Sequence, residues 1–151
     1  MVMTMAVASS VATAQDDLWH GDRTEQCLSH PYDAPVTQDQ SRLAAALVGV
    51  TAARSQASSL LRALESKRPD LCIDHVEAGP RGYYDVSLNL VALDAALTPQ
   101  EDVAILVHEL RHLDQFNRGF CPSTVLSMQE NARSVIATEA DAMAVTTSVA
   151  W

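Results

Sequence analysis

Two histidines and a glutamate in the stretch AILVHELRHLDQF, residues 104–116, have a spacing that suits metal-assisted hydrolysis. On a helix, His108 and His112 lie about 40° apart around the axis, so both imidazoles can point at one ion. Glu109 lies beside them and is free to take a proton from water on that ion, as hydrolytic zinc sites require. The alternative is that these are ordinary surface or core histidines, because short motifs also occur by chance.

A third protein ligand would separate these interpretations, since catalytic zinc normally has three protein ligands and a water molecule. Three acids further along the chain are candidates: Glu130, Glu139 and Asp141. On a helical wheel Glu139 lies in the middle of an apolar stripe, whereas Glu130 and Asp141 project about 180° and 200° away, on the polar side. The stripe comprises Met128, Ala132, Val135, Ile136, Ala142, Met143 and Thr146.

A carboxylate on a core-facing stripe is costly unless it is paired with a cation or bound to a metal. The sequence therefore predicts Glu139 as the third ligand, beside His108 and His112. The alternative is a buried Glu139 that pairs with an arginine such as Arg111 or Arg133.

Two helices must position these residues. The segment TPQE, residues 98–101, combines an N-cap, a proline at the first helical position and a capping-box acid. The helix that carries the histidines should therefore run from here to about Arg118, where Gly119 is a natural stop. Its apolar stripe lies opposite the histidines, but apolar residues flank the histidines too, so we expect that face to be covered. A last helix should run from near Ser123 to about Val149.

A long helix and a small sheet should precede them. The segment TQDQ, residues 37–40, begins a helix whose apolar residues continue to Pro69, interrupted at Arg54. Residues 71–77 and 83–93 are predicted as a hairpin or as two successive strands, because Gly and Pro between them mark a turn. The second segment has one apolar and one polar face, which is typical of a half-buried edge strand. This order of elements predicts an α+β domain.

The chain of 151 residues is long enough for one compact domain, which we assign to residues 37–151. Residues 15–36 show no periodicity and are predicted to form an irregular arm. Residues 1–14 resemble the end of a secretory signal peptide, with an A-x-A cleavage site that ends at Ala14 but without a basic n-region. This pattern favours a periplasmic or secreted protein, with the cytoplasm as the alternative.

The cysteines fit either compartment. Cys27, Cys72 and Cys121 match an exported protein with one disulfide and one free thiol, or a cytosolic protein with three thiols. They lack the close C-x-x-C pairing of a zinc knuckle.

The stretch VHELRH, followed by TEADA at residues 138–142, is similar to the minimal zinc metallopeptidases of the gluzincin kind. It especially resembles uncharacterised bacterial metallopeptidase families, over roughly residues 71–147. The resemblance implies a zincin-like fold in which His108, His112 and Glu139 bind one zinc ion. It also implies that Glu109 is the general base and that the strand at residues 83–91 lines the substrate cleft.

One position departs from this resemblance. Thermolysin-like gluzincins place an acid four residues after the ligand glutamate to orient a histidine, and this chain has Met143 there. Asp114 or Gln115 is the candidate replacement.

The charge of the chain restricts its partners. Ten basic and nineteen acidic residues give a net charge of −9, which disfavours nucleic acid. No apolar run is long enough to cross a bilayer. The expected partner is a peptide or protein substrate, and the sequence does not indicate an oligomeric state.

The sequence therefore predicts zinc-dependent hydrolysis of peptide bonds. Alternatives are a non-catalytic zinc-binding or protein-interaction module, and a helical scaffold without metal; Glu109 favours the enzyme, because a structural site needs no unbound carboxylate. Tyr83 and Tyr84 are candidates to stabilise an oxyanion, although strand packing is the commoner role of such residues. The remaining histidines have no neighbours at ligand spacing and are interpreted as bystanders; they are His20, His30 and His75.

Overall fold

The computed structural model describes residues 19–75 and 78–150. Over these residues five helices accompany one four-stranded sheet, which confirms the predicted α+β class. The predicted leader at residues 1–14 lies outside the described residues. In chain order the elements are α1 (Arg23–Gln26), β1 (Cys27–Leu28), α2 (Gln38–Ala52), α3 (Arg54–Lys67), β2 (Asp70–Asp74), β3 (Gly82–Asp85), β4 (Leu90–Asp94), α4 (Pro99–Asn117) and α5 (Met128–Ala150).

The strands lie in the order β1-β2-β4-β3. β2 runs parallel to β4, with Leu71 opposite Val91, and the two outer strands are antiparallel to their neighbours. The middle residues of the two central strands are buried, as expected for strands covered on both faces. β3 is an edge strand, and it packs against α4.

The predicted single strand at residues 83–93 is wrong, because this segment is a β-hairpin formed by β3 and β4. The carboxylate of Asp85 accepts hydrogen bonds from the Ser87 hydroxyl at 2.6 Å and the Leu88 amide at 3.0 Å. Asn89 has a φ of 49°, in the left-handed region that asparagine tolerates. These local features close a turn in the middle of an alternating pattern. The edge strand that packs against α4 is therefore only residues 82–85.

The predicted continuous helix between residues 37 and 69 is two helices, which meet at Ala53. The capping box at Thr37 is confirmed, and the buried stripe passes from Val50 in α2 to Ala57 in α3. No side chain between Val50 and Ala57 is buried, so packing does not hold the helix regular there. The Ala53 amide bonds to the Val50 carbonyl at 3.2 Å, a tighter turn than the α-helix has.

The described part of the predicted irregular arm, residues 19–36, is more ordered than expected. It contains α1 and β1, and Cys27 in β1 forms a disulfide with Cys72 in β2. Trp19 packs in the same small cluster as both cysteines. Cys121 is an exposed free thiol, so the first of the two predicted cysteine arrangements is present. Elements of two and four residues are too short to show periodicity in a sequence.

α4 is the central helix of the core and contacts α2, α3, β3, β4 and α5. Its predicted apolar stripe is fully buried at Leu106, Val107, Leu110 and Leu113. α5 packs along α4 on the side where the histidines lie. None of the helices in the described part of the chain has the length and apolar character needed to cross a membrane.

Candidate metal centre

The helix that carries the histidines is fixed firmly at its N-terminal end. Thr98 and Glu101 form the predicted capping box, with Pro99 in the first turn. Arg42 of α2 donates to both carboxylate oxygens of Asp102 at 2.7 and 2.6 Å. The same guanidinium donates to the carbonyl oxygens of Asp94, which ends β4, and of Ala95 and Leu97 in the loop before α4. The first turn of α4 is thereby attached to both α2 and the end of β4.

The structure brings His108, His112 and Glu139 together, as predicted. The Nε2 atoms of the two histidines are 3.1 Å apart. The Glu139 carboxylate faces both, with Oε2 3.3 Å from Nε2 of His108 and Oε1 3.3 Å from Nε2 of His112. Within the described residues these three side chains form a group that could hold a metal ion.

The spacing of these atoms fits a small tetrahedral ion. Zinc bonds to nitrogen and oxygen of about 2.05 Å place neighbouring ligand atoms about 3.3 Å apart in a tetrahedron. Burial and the neighbouring His112 lower the pKa of His108, against an opposite effect of Glu139. A lowered pKa favours the neutral imidazole, which is the form that binds a metal. The donor set and its geometry are therefore compatible with zinc.

Glu139 reaches this position from a different face of α5 than the sequence predicted. Its side chain is 53% exposed, and it does not lie in a buried stripe. Of the predicted stripe only Ala142 and Thr146 are buried, whereas Met128 is 90% exposed and Met143 is 57% exposed. The predicted core roles of these two methionines are therefore wrong.

The face of α5 that contacts α4 centres near Thr138, about 100° from Glu139 on the helical wheel. This face combines the buried Ala142 with polar residues that hydrogen-bond to α4. Gln115 donates to the Thr138 carbonyl at 2.9 Å and to Asp141 at 2.8 Å. Hydrophobic periodicity does not detect a face of this kind.

The other two candidate acids are engaged elsewhere. Glu130 caps the start of α5, where its carboxylate accepts from the Ser127 amide at 2.9 Å. Asp141 forms a two-pronged ion pair with Arg111 at 2.7 and 3.1 Å. The hydrogen bond from Arg111 lowers the pKa of Asp141. The predicted alternative of Glu139 paired with Arg111 does not occur, because Arg111 bonds to Asp141 and Asp114.

Glu109 is a buried acid beside the three candidate ligands. It is 6% exposed, and burial together with the charge of Glu139 raises the pKa of Glu109 to about 8. β3 approaches it closely, since a Cβ atom on Gly82 would lie 3.2 Å from Cγ of Glu109 and 3.1 Å from the Ala92 carbonyl oxygen. The added atom would also overlap Ile105. Gly82 therefore allows β3 to pack against α4 at this point. The sequence did not reveal this role, because Gly82 lies in a segment that carries ordinary turn signals.

The three candidate ligands and Glu109 line a cleft of about 380 Å³ between β3, α4 and α5. Its walls also hold apolar residues from the segment between α4 and α5, which sequence reasoning did not single out because that segment has no periodicity. Besides the four residues already named, the walls include Gly82, Tyr83, Tyr84, Gln115, Phe116, Phe120, Cys121, Pro122, Val135 and Thr138.

The two tyrosines of β3 line this cleft, but their hydroxyl groups bond elsewhere. The Tyr83 hydroxyl donates to Asp74 at 2.8 Å, and burial followed by this bond raises the pKa of Tyr83. The Tyr84 hydroxyl lies 3.4 Å from Oδ1 of Asn89, and its ring meets Phe116 edge-on at 5.9 Å. These contacts agree with the strand-packing interpretation, and an oxyanion role stays a prediction.

Asp114 and Gln115 are the two predicted candidates to orient a histidine, and Gln115 contacts His112. Its Oε1 lies 2.9 Å from Nδ1 of His112, and Gln115 is 4% exposed. Asp114, the other candidate, bonds to Arg111 at 2.6 Å and lies 3.3 Å from Arg118. Of the two candidates, Gln115 is therefore the one placed to orient a candidate ligand.

The fold and the site together define the class of protein: an α+β domain with a candidate metal centre in a cleft between its edge strand and its last two helices. A family model described as "Putative metallopeptidase family (DUF6782)" matches residues 12–151. The chain belongs to this family, which confirms the resemblance to uncharacterised metallopeptidase families. No curated protein and no solved structure matches the chain.

Proposed function

We propose that this protein is a zinc-dependent peptidase in which His108, His112 and Glu139 bind one zinc ion and Glu109 is the general base. The observation that carries the proposal is the convergence of two imidazole nitrogens and one carboxylate, with the buried Glu109 beside this group but not part of it. Membership of a family described as metallopeptidases supports the same conclusion.

The donor set favours zinc and a catalytic rather than a structural site. Two histidines and one glutamate are a ligand set of catalytic zinc, and three protein ligands leave one position for water or substrate. When bound, zinc would polarise the scissile carbonyl group and lower the pKa of water to about 7. The cleft in front of the ligands gives a substrate access to this position.

Glu109 would transfer the protons of the reaction. Its carboxylate would take a proton from the attacking water and later deliver that proton to the leaving amine. Burial favours the protonated form, with a pKa of about 8 in the absence of a cation. Beside a bound cation the pKa of Glu109 would fall, so that the ionised base is available near neutral pH.

β3 would align the substrate. It is an edge strand of the sheet, and its residues Gly82, Tyr83 and Tyr84 line the cleft. A peptide in an extended conformation can pair with the free backbone groups of such a strand. This pairing would place the backbone of the substrate along the cleft and the scissile bond near Glu109.

The test is the Glu109→Gln variant, assayed with a library of fluorescence-quenched peptides. We expect the zinc-loaded parent to cleave peptides and to lose this activity when a chelator removes the metal. Glu109→Gln should retain one zinc ion per chain and lose about 10²–10⁴-fold in rate, the usual contribution of a general base.

Glu101→Gln is the matched control on the same helix. Glu101 is exposed, and glutamine serves equally well in a capping box, so this variant should keep the activity of the parent. A zinc-loaded parent that cleaves none of the peptides would favour the non-catalytic zinc-binding module. Equal activity in the parent and Glu109→Gln would refute the role of Glu109.

We also propose that the protein works in an oxidising compartment, either periplasmic or extracellular. The disulfide between Cys27 and Cys72 supports this location, because such bonds persist mainly outside the reducing cytosol. Alkylation of free thiols in freshly lysed cells should modify Cys121 alone. Modification of all three cysteines would contradict the proposal.

A further inference from the structure

Gln115 has a defined orientation in the interface between α4 and α5. Its Nε2 atom lies 2.9 Å from the Thr138 carbonyl oxygen and 2.8 Å from Oδ2 of Asp141. Both partners are acceptors, so the end of the amide that faces them must be the NH2 group. The oxygen end then faces Nδ1 of His112 at 2.9 Å.

This orientation selects one form of His112. An amide oxygen can only accept a hydrogen bond, so Nδ1 of His112 must carry the proton. In the neutral imidazole Nε2 then has a free lone pair, and this atom faces Glu139 Oε1 at 3.3 Å. A cation bound between the two atoms would therefore meet a nitrogen lone pair on one side and a carboxylate oxygen on the other.

Gln115 also contacts the ion pair that Asp141 forms with Arg111. Asp141 accepts from Gln115 and is held by Nε and Nη2 of Arg111, on the same helix as His112. Gln115 is 4% exposed, so water does not compete freely for its amide. α5 also carries Glu139, and the network therefore links the positions of two candidate ligands that lie on different helices.

We propose that Gln115 is a positioning residue that holds His112 as the Nδ1–H tautomer and joins it to the α5 helix that carries Glu139. The consequence of this orientation, tighter metal binding, rests on the proposed function. The structural part of the proposal concerns the metal-free protein and can be tested alone.

The first test is nuclear magnetic resonance of the metal-free parent labelled with ¹⁵N at histidine. Long-range ¹H–¹⁵N correlations distinguish a proton on Nδ1 from one on Nε2. We expect the Nδ1–H form at His112 in the parent, because the amide oxygen of Gln115 accepts from Nδ1. Gln115→Met has similar volume, but its thioether sulfur is only a weak acceptor, so this variant should lose the preference.

The second test is zinc affinity, measured by competition with a chromophoric chelator. Gln115→Met should bind zinc about 10–100-fold more weakly than the parent, the usual effect of removing a partner of a ligand histidine. Gln100→Met is the matched control, since Gln100 is exposed on the same helix and should bind zinc as the parent does.

The outcomes separate this proposal from the proposed function. The Nε2–H form of His112 in the parent, or equal zinc affinity in Gln115→Met and Gln100→Met, would overturn the role of Gln115. A tautomer of His112 that does not differ between the parent and Gln115→Met would overturn it as well. A parent that binds no zinc but shows the Nδ1–H form would contradict the proposed function and still support the orientation of His112 by Gln115.

Discussion

Loss of the disulfide between Cys27 and Cys72 should lower the free energy of unfolding by about 4 kcal/mol. The two cysteines are 45 residues apart in the sequence, and closing a loop of that length removes about 13 cal/mol/K of entropy from the unfolded chain. At 25 °C this entropy corresponds to about 4 kcal/mol. For a chain of 151 residues the unfolding entropy is about 0.3 kcal/mol/K, so the melting temperature should fall by about 12 °C.

The assay is urea unfolding with and without a reductant, on a Cys121→Ser background that prevents thiol exchange. Cys121 is exposed, so its replacement should be nearly neutral. A Cys27→Ala/Cys72→Ala double variant is the control, and its unfolding midpoint should not respond to reductant. If reduction of the disulfide leaves the midpoint of the Cys121→Ser protein unchanged, then closing this loop does not stabilise the fold as we argue.

Two further predictions concern the supports of α4. Gly82→Ala should lower the rate of peptide hydrolysis by about 10²-fold, since an added methyl group displaces β3 or Glu109 by a fraction of an ångström or more. The variant should still bind one zinc ion, and loss of zinc binding would contradict an effect confined to β3 and Glu109. Arg42→Met should lower the free energy of unfolding, measured with urea, by about 3–5 kcal/mol, because it leaves Asp102 buried without its partner. A decrease below about 1 kcal/mol would refute the stabilising role of the Arg42–Asp102 pair.

The sequence predicts α4 well because several independent signals agree there. The capping box and Pro99 mark its start, and Gly119 follows its end with a φ of 84°. The period of its buried residues matches the helix, and the positions of His108 and His112 follow from that period. Consistent local signals of this kind make an element predictable from the sequence alone.

Prediction of the buried face of a helix from the sequence fails where polar contacts contribute to that face. The wheel for α5 assumes that the most apolar side faces the core, but the buried side also carries polar contacts among Thr138, Asp141 and Gln115. Glu139 still reaches the histidines because it lies at the edge of this face. The hairpin between β3 and β4 was missed for a related reason, since residues 86–89 continue the alternating pattern through a turn that side-chain hydrogen bonds close.

The most direct test of the proposed metal centre is a zinc titration of the chelator-treated protein and two variants of α5. The parent and Glu130→Ala should each bind one zinc ion with similar affinity, because Glu130 only caps the helix. Glu139→Ala should bind at least about a hundredfold more weakly, since losing a ligand costs more than losing a partner of a ligand. Zinc binding by Glu139→Ala that equals that of the parent would contradict the proposed site.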